Sequence, residues 1–182
     1  MRVIGVINLF LFPSMLVAIF IWGMWAFCFY LKKRNLNLKL WGIRYVFITY
    51  ISSVFIVTDA YKIFTEGFPM FFMEPNFIPF FNTIKDILAN PLESIGQIAY
   101  NFILFIPFGF LIVFSFPNYK WKLMKIIVIS FIVVFVVETL EYFSGRYMDI
   151  DDIIINICGS VLGYGIGSML NRVRYHYKEK CI

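Results

Sequence analysis

The sequence predicts an all-α integral membrane protein, a bundle of about five transmembrane helices with its N-terminus outside and its C-terminus cytoplasmic. Three observations carry this prediction. Of 182 residues, 61% are hydrophobic and 21% aromatic against 15% charged, a balance too apolar for a water-soluble chain of this size. The apolar residues gather in runs that can cross a hydrocarbon layer of ~30 Å as helices of about 20 residues. The lysines and arginines, finally, collect between alternate runs.

The runs lie near Leu9–Leu31, Gly42–Phe64, Gly96–Phe116, Leu123–Phe143 and Ile153–Leu170. The first has Arg2 ahead of it and Lys32, Lys33 and Arg34 behind, and exceeds a secretory h-region in length. It reads as a retained helix rather than a cleaved signal. Lys32, Lys33, Arg34, Lys39 and Arg44 fall between runs one and two, Lys120, Lys122 and Lys125 between three and four, and Arg172, Arg174, Lys178 and Lys180 after five. By the positive-inside rule these segments face the cytoplasm. Every acid except Glu179 falls on the opposite side.

This divides the chain into two N-terminal transmembrane helices (1–64), an extracytoplasmic aromatic and proline-rich loop (65–95), a three-helix core (96–170) and a basic cytoplasmic tail (171–182). In the loop, Pro69, Pro75, Pro79 and Pro91 limit regular structure. The stretch IPFFNTIKDIL, Ile78 to Leu88, predicts a short amphipathic helix at the interface or a hairpin dipping into it. A lid fits this loop better than a sixth span, because no twenty-residue run escapes its prolines and charges.

The net charge of +5 marks the edges of membrane spans and not a nucleic-acid surface. Cys28, Cys158 and Cys181 lie too far apart for a zinc site or a disulfide framework. His176, the one histidine, sits in the basic tail, which sets histidine chemistry aside. No metal or cofactor is predicted.

Polar groups concentrate between Glu138 and Gly167, where Glu138, Glu141, Asp149, Asp151, Asp152, Arg146 and Asn156 interrupt an apolar chain. A charge at a bilayer centre costs about 2.5–3.5 kcal/mol on insertion scales, so grouped charges need partners, water or a function. Glu138 and Glu141 share a helical face one turn apart. Such a pair can hold an ion, share a proton or meet the nearby Arg146. In the run DIDD, acids at a helix start satisfy free amides, so Asp151 or Asp152 is a candidate cap. Asp152, Asn156, Gly159, Gly163 and Gly167 fall on one stripe, whose glycines allow another helix to approach closely. In the third run, Asn101 lies one turn from Gln97 on a single face, and Pro107 with Gly109 predicts a mid-membrane kink.

NFILFIPFGF (Asn101–Phe110), the acidic helix exit, Arg146, DIDDIIIN (Asp149–Asn156) and the glycine-spaced last helix resemble the VanZ family of small bacterial membrane proteins. NFIPF (Asn76–Phe80) resembles that family's short loop motif. The family's motif residues fall on Asn101, Pro107, Gly109, Glu138, Arg146, Asp149, Asp152, Asn156, Gly159 and Gly163. One position departs: the family usually has glutamine where Glu141 stands. The resemblance implies a multi-pass protein of the bacterial cell membrane and an association with resistance to the lipoglycopeptide teicoplanin.

Two readings of function follow. In the favoured one the protein is not an enzyme. Asn101, Glu138, Glu141, Arg146, Asp149, Asp152 and Asn156 form an outward polar pocket that binds a lipid-linked cell-wall precursor, another envelope amphiphile or the lipoglycopeptide itself, with Arg146 taking a phosphate or carboxylate. In the alternative a membrane enzyme acts on a head group, with Glu138 or Asp149 as general base or ion ligand. The first reading fits a site without a dedicated nucleophile, the second an excess of acids.

Overall fold

The computed structural model describes residues 37–58, 67–70, 74–117 and 119–180, together with Ile19, Phe20, Gly23, Met24 and Lys62, and side chains as far as Val173. The expected first span, Leu9–Leu31, lies outside the described residues apart from four helical positions. The chain forms two compact units, Met1–Thr58 and Asp59–Ile182.

In the first unit, α1 runs from Leu38 to Val57. It starts ahead of the Gly42–Phe64 apolar run because Asn37 caps it, Oδ1 accepting the Leu40 N–H at 3.2 Å. The Thr49 and Ser53 hydroxyls donate back to the carbonyls four residues earlier, at 2.9 and 2.8 Å. An apolar helix can thus carry them without an outside partner.

The second unit holds α2 (Phe81–Ala89), α3 (Pro91–Ser115), α4 (Leu123–Phe143) and α5 (Ile150–Lys180). The short helix expected within Ile78–Leu88 is α2. Asn90 alone separates it from α3. Pro91, counted above among the residues limiting structure, instead opens α3 at its first position. The missing N–H of proline costs nothing there. The helix then continues as one element through Pro107.

Helix α5 is central, with its broadest contact against α3 and a second against α4, while α2 leans on α3. Glycines set the α3–α5 distance. A Cβ on Gly159 would overlap the Phe102 carbonyl oxygen, one on Gly163 the Ile106 carbonyl oxygen, and one on Gly167 would come within 3.1 Å of the Phe110 carbonyl oxygen. From the other side, a Cβ on Gly109 would overlap the Ser160 carbonyl oxygen and reach 2.7 Å from the Tyr164 nitrogen. Gly109 therefore serves close packing, where the sequence suggested only local flexibility. The expected glycine stripe is a packing seam, and the helix it draws in is α3. In a bilayer, where lipid is as apolar as leucine, such backbone proximity is a main source of helix association.

Phe105, Phe108 and Ile112 of α3, Ile126 and Val134 of α4 and Ile153 of α5 fill the interior. Leu38–Val57, Pro91–Ser115, Leu123–Phe143 and Ile150–Val173 are each long and apolar enough to cross a membrane. The protein is a multi-pass membrane protein. Apart from one isolated parallel bridge between Asn76 and Asp149, the described residues form helices and turns.

Candidate functional site

The polar groups meet at the end of the bundle where α4 turns into α5. Helix α4 closes with Gly145 at φ +89°, donating to the Tyr142 carbonyl at 3.0 Å while the Arg146 N–H reaches the Glu141 carbonyl at 3.0 Å. This C-terminal turn needs a left-handed residue, which glycine supplies without a steric cost. It folds Arg146 back over its own helix, and Nη1 stands 3.2 Å from Glu141 Oε2.

Helix α5 begins at Ile150, three residues ahead of the apolar run, because its first turn tolerates Asp151 and Asp152. The cap is Asp149, whose Oδ1 accepts the Asp151 N–H at 2.9 Å. Neither Asp151 nor Asp152 caps the helix: an N-cap residue must precede the first helical position, and both lie inside it. Each turns to a different neighbour. Asp151, almost fully buried, accepts the Phe80 N–H at 2.7 Å and the Thr83 hydroxyl. Asp152 accepts from Asn101 Nδ2 on α3.

The segment before α2 docks onto this turn through Asn76. Its backbone pairs in parallel, N–H to the Met148 carbonyl at 2.9 Å and carbonyl to the Ile150 N–H at 3.1 Å. Its side-chain amide lies 3.1 Å from each Asp149 carboxylate oxygen, and its Oδ1 takes the Ile78 N–H at 3.1 Å. Asn82 donates to the Tyr147 hydroxyl at 2.9 Å. Phe80, at φ 62°, turns the chain into α2, a left-handed conformation that costs a non-glycine residue of order 1–3 kcal/mol. The bond to Asp151 holds it there.

Between α2, the start of α3 and the α4–α5 turn lies a cavity of about 440 Å³. Asn82, Thr83 and Asp86 line it from α2, Ser94 and Gln97 from α3, and Arg146, Tyr147, Asp149, Asp151 and Asp152 from the turn and α5. Among the described residues, Arg146 is its one cationic wall residue.

Of the sequence-derived candidates, Arg146, Asp149 and Asp152 face this cavity, and Asn101 joins it through Asp152. Glu141 stands behind Arg146. Glu138 and Asn156 are buried and do not line it; among the described residues, Glu138 Oε2 and Asn156 Oδ1 have no hydrogen-bond partner. Glu138 remains within coulombic reach of Glu141, Asp152, Arg146 and Asp149. Of the two candidate catalytic carboxylates, Glu138 is thus set back from the cavity and Asp149 is engaged at both oxygens. Among the described residues, no three His, Cys, Asp or Glu side chains gather so as to hold a metal ion.

Asn76, Asn82, Thr83, Asp86, Tyr147 and the docking role of Asp151 were not singled out from the sequence. For Asn76 the signal was present, since NFIPF is a motif of the resembling family. Asn82, Thr83, Tyr147 and the docking role of Asp151 rest on contacts about 65 to 71 positions apart along the chain, and Asp86 on its place in the cavity wall, none of which local pattern can reveal.

Comparison with curated proteins and with solved structures finds no match. A family model, VanZ/LLP1, matches residues 10–171, spanning the glycine seam, the Asn76 loop and the whole aspartate turn. The chain belongs to the VanZ/LLP1 family.

Proposed function

We propose that this is a VanZ-like cell-envelope protein that binds the polar head of an amphipathic envelope ligand, a lipid-linked wall precursor or a lipoglycopeptide, in the cavity beside Arg146. The observation that carries the reading is the cavity: about 440 Å³ at the end of a membrane bundle, lined mostly by polar side chains with Ile98 and Ile155 beside them and, among the described residues, one guanidinium together with several carboxylates and amides. Carboxylate and amide acceptors stand in the wall beside hydroxyl, amide and guanidinium donors, which suits a head with hydroxyl and amino groups. Arg146, about half exposed beside Glu141, supplies the place for a carboxylate or phosphate at one edge. The positive-inside distribution of lysine and arginine supports an orientation with this end outside the cytoplasm, where wall precursors and the drug occur. Binding there would contribute to teicoplanin-type resistance in a bacterial membrane.

The test is a titration of the detergent-purified protein with a polyprenyl-linked wall precursor and, separately, with teicoplanin. Binding should weaken at least tenfold in Arg146→Ala and in Gln97→Ala, while Gly165→Ala, which lies away from the cavity, should bind like the wild type. Equal binding by wild type and Arg146→Ala removes the reading. The catalytic alternative is favoured by no geometric observation, since both of its carboxylates are either set back or engaged.

A further inference from the structure

Helix α2 is amphipathic in the inverse of the usual sense. Asn82 and Thr83 point into the bundle, bonded to Tyr147 and Asp151, and with Asp86 they wall the cavity. Phe81, Ile84 and Leu88, at steps of three and four, make up the outward face, with Leu88 79% exposed. No residue of α2 is buried. A helix on a water-soluble protein turns its apolar stripe to the core; this one turns it away.

The stripe does not stop at α2. Leu92, 90% exposed, and then Ile95, Ala99 and Ile103 follow at steps of three, four and four along the outer face of α3. Ile103 lies well inside a membrane-spanning helix, so its outward face is in contact with acyl chains. Exposed apolar side chains thus recur from Leu88 of α2 through Leu92 and Ile95 to Ile103. Lys85, whose Nζ sits 3.8 Å above the Phe81 ring, and Asp86 provide the polar edge that such a helix keeps at the headgroup level. A large continuous exposed apolar patch marks a membrane or protein partner; continuity with a spanning helix selects the membrane.

We infer that α2 lies within the leaflet on the cavity side, its Phe81, Ile84 and Leu88 face in the acyl chains and its Asn82 and Thr83 face forming the cavity wall. The cavity then reaches from the headgroup level, where Asp86 stands, into the leaflet, and is bounded by lipid across a single nine-residue helix. Its occupant, on the reading proposed above, is a membrane-resident lipid that enters sideways past α2 rather than a solute arriving from water. The placement of α2 does not depend on that reading.

The experiment measures depth without any ligand. Spin labels are placed by Ile84→Cys, Leu88→Cys and Asp86→Cys in a background carrying Cys28→Ser, Cys158→Ser and Cys181→Ser, reconstituted in phosphatidylcholine vesicles. Labels at 84 and 88 should be relaxed strongly by oxygen and at least threefold less by a water-soluble nickel chelate than the label at 86. Comparable chelate accessibility at all three positions overturns the inference. For the unsubstituted protein, a lipid-partitioned photoactivated diazirine should label the peptide covering 77–95 to the same extent as peptides of α4. Labelling confined to α3, α4 and α5 also overturns it. Should α2 prove embedded while teicoplanin and the precursor both fail to bind, the functional proposal falls and the placement stands.

Discussion

Replacing Gly163 by alanine inserts one methyl group where the α3 backbone passes closest. Its Cβ would overlap the Ile106 carbonyl oxygen and stand 3.0 Å from the Phe110 nitrogen. Both are backbone atoms, so no side chain can rotate away. The helices must part by on the order of 1 Å or more, and a gap of about 0.5–1 Å already forfeits a quarter to a half of the dispersion well for each atom pair along the seam. Overpacking of this kind costs about 1–3 kcal/mol. Gly165, two residues on, faces outward with nothing within 4 Å of an added Cβ. There the same substitution should be neutral or stabilise by no more than about 1 kcal/mol, the helix-propensity difference. The assay is reversible unfolding in mixed detergent and SDS micelles, followed by near-ultraviolet circular dichroism, which reports helix association while the helices themselves persist. A Gly163→Ala protein as stable as wild type, or a Gly165→Ala protein equally impaired, would refute the seam as the organising contact. Gly159→Ala should behave like Gly163→Ala. The double variant should cost less than the sum, because both act on one interface.

Asn76→Ala removes the amide between two Asp149 oxygens and the acceptor for the Ile78 N–H, so about 1–3 kcal/mol of local stability should be lost; hydrogen exchange across 76–89 should accelerate, with protection in α4 unchanged. Thr83→Val deletes the hydroxyl donor to buried Asp151 and should destabilise by about 1.5–3 kcal/mol; Thr83→Ser should restore most of it, and a valine variant as stable as wild type would remove Asp151 as an anchor. Glu138→Gln places a neutral amide where, among the described residues, one carboxylate oxygen is buried without a partner. It should be at least as stable as wild type in the same SDS titration, because a buried group without its hydrogen bond is a cost and not a support.

The sequence by itself determined the membrane setting, the existence of the long helices α1, α3, α4 and α5, with α4 at its observed ends and the ends of α1 and α5 missed by up to seven and ten residues, and the glycine stripe, because each is a composition or a period; α2 it left open between a helix and a hairpin. Twenty apolar residues have few structures open to them in hydrocarbon, and glycines at steps of four and four can only line one face. It also identified the polar residues worth asking about, since charge in an apolar chain is conspicuous wherever it falls. What it left open was their pairing. Asp149, Asp151 and Asp152 are indistinguishable as a string, yet one caps α5 and clasps Asn76, one anchors α2, and one bonds across to α3. That division follows from the 100° turn between successive helical residues and from the arrival of the Asn76 loop from more than seventy residues away. The orientation of α2 was equally beyond the string: its pattern shows two faces, but only a polar cavity on one side of it decides that the apolar face looks outward.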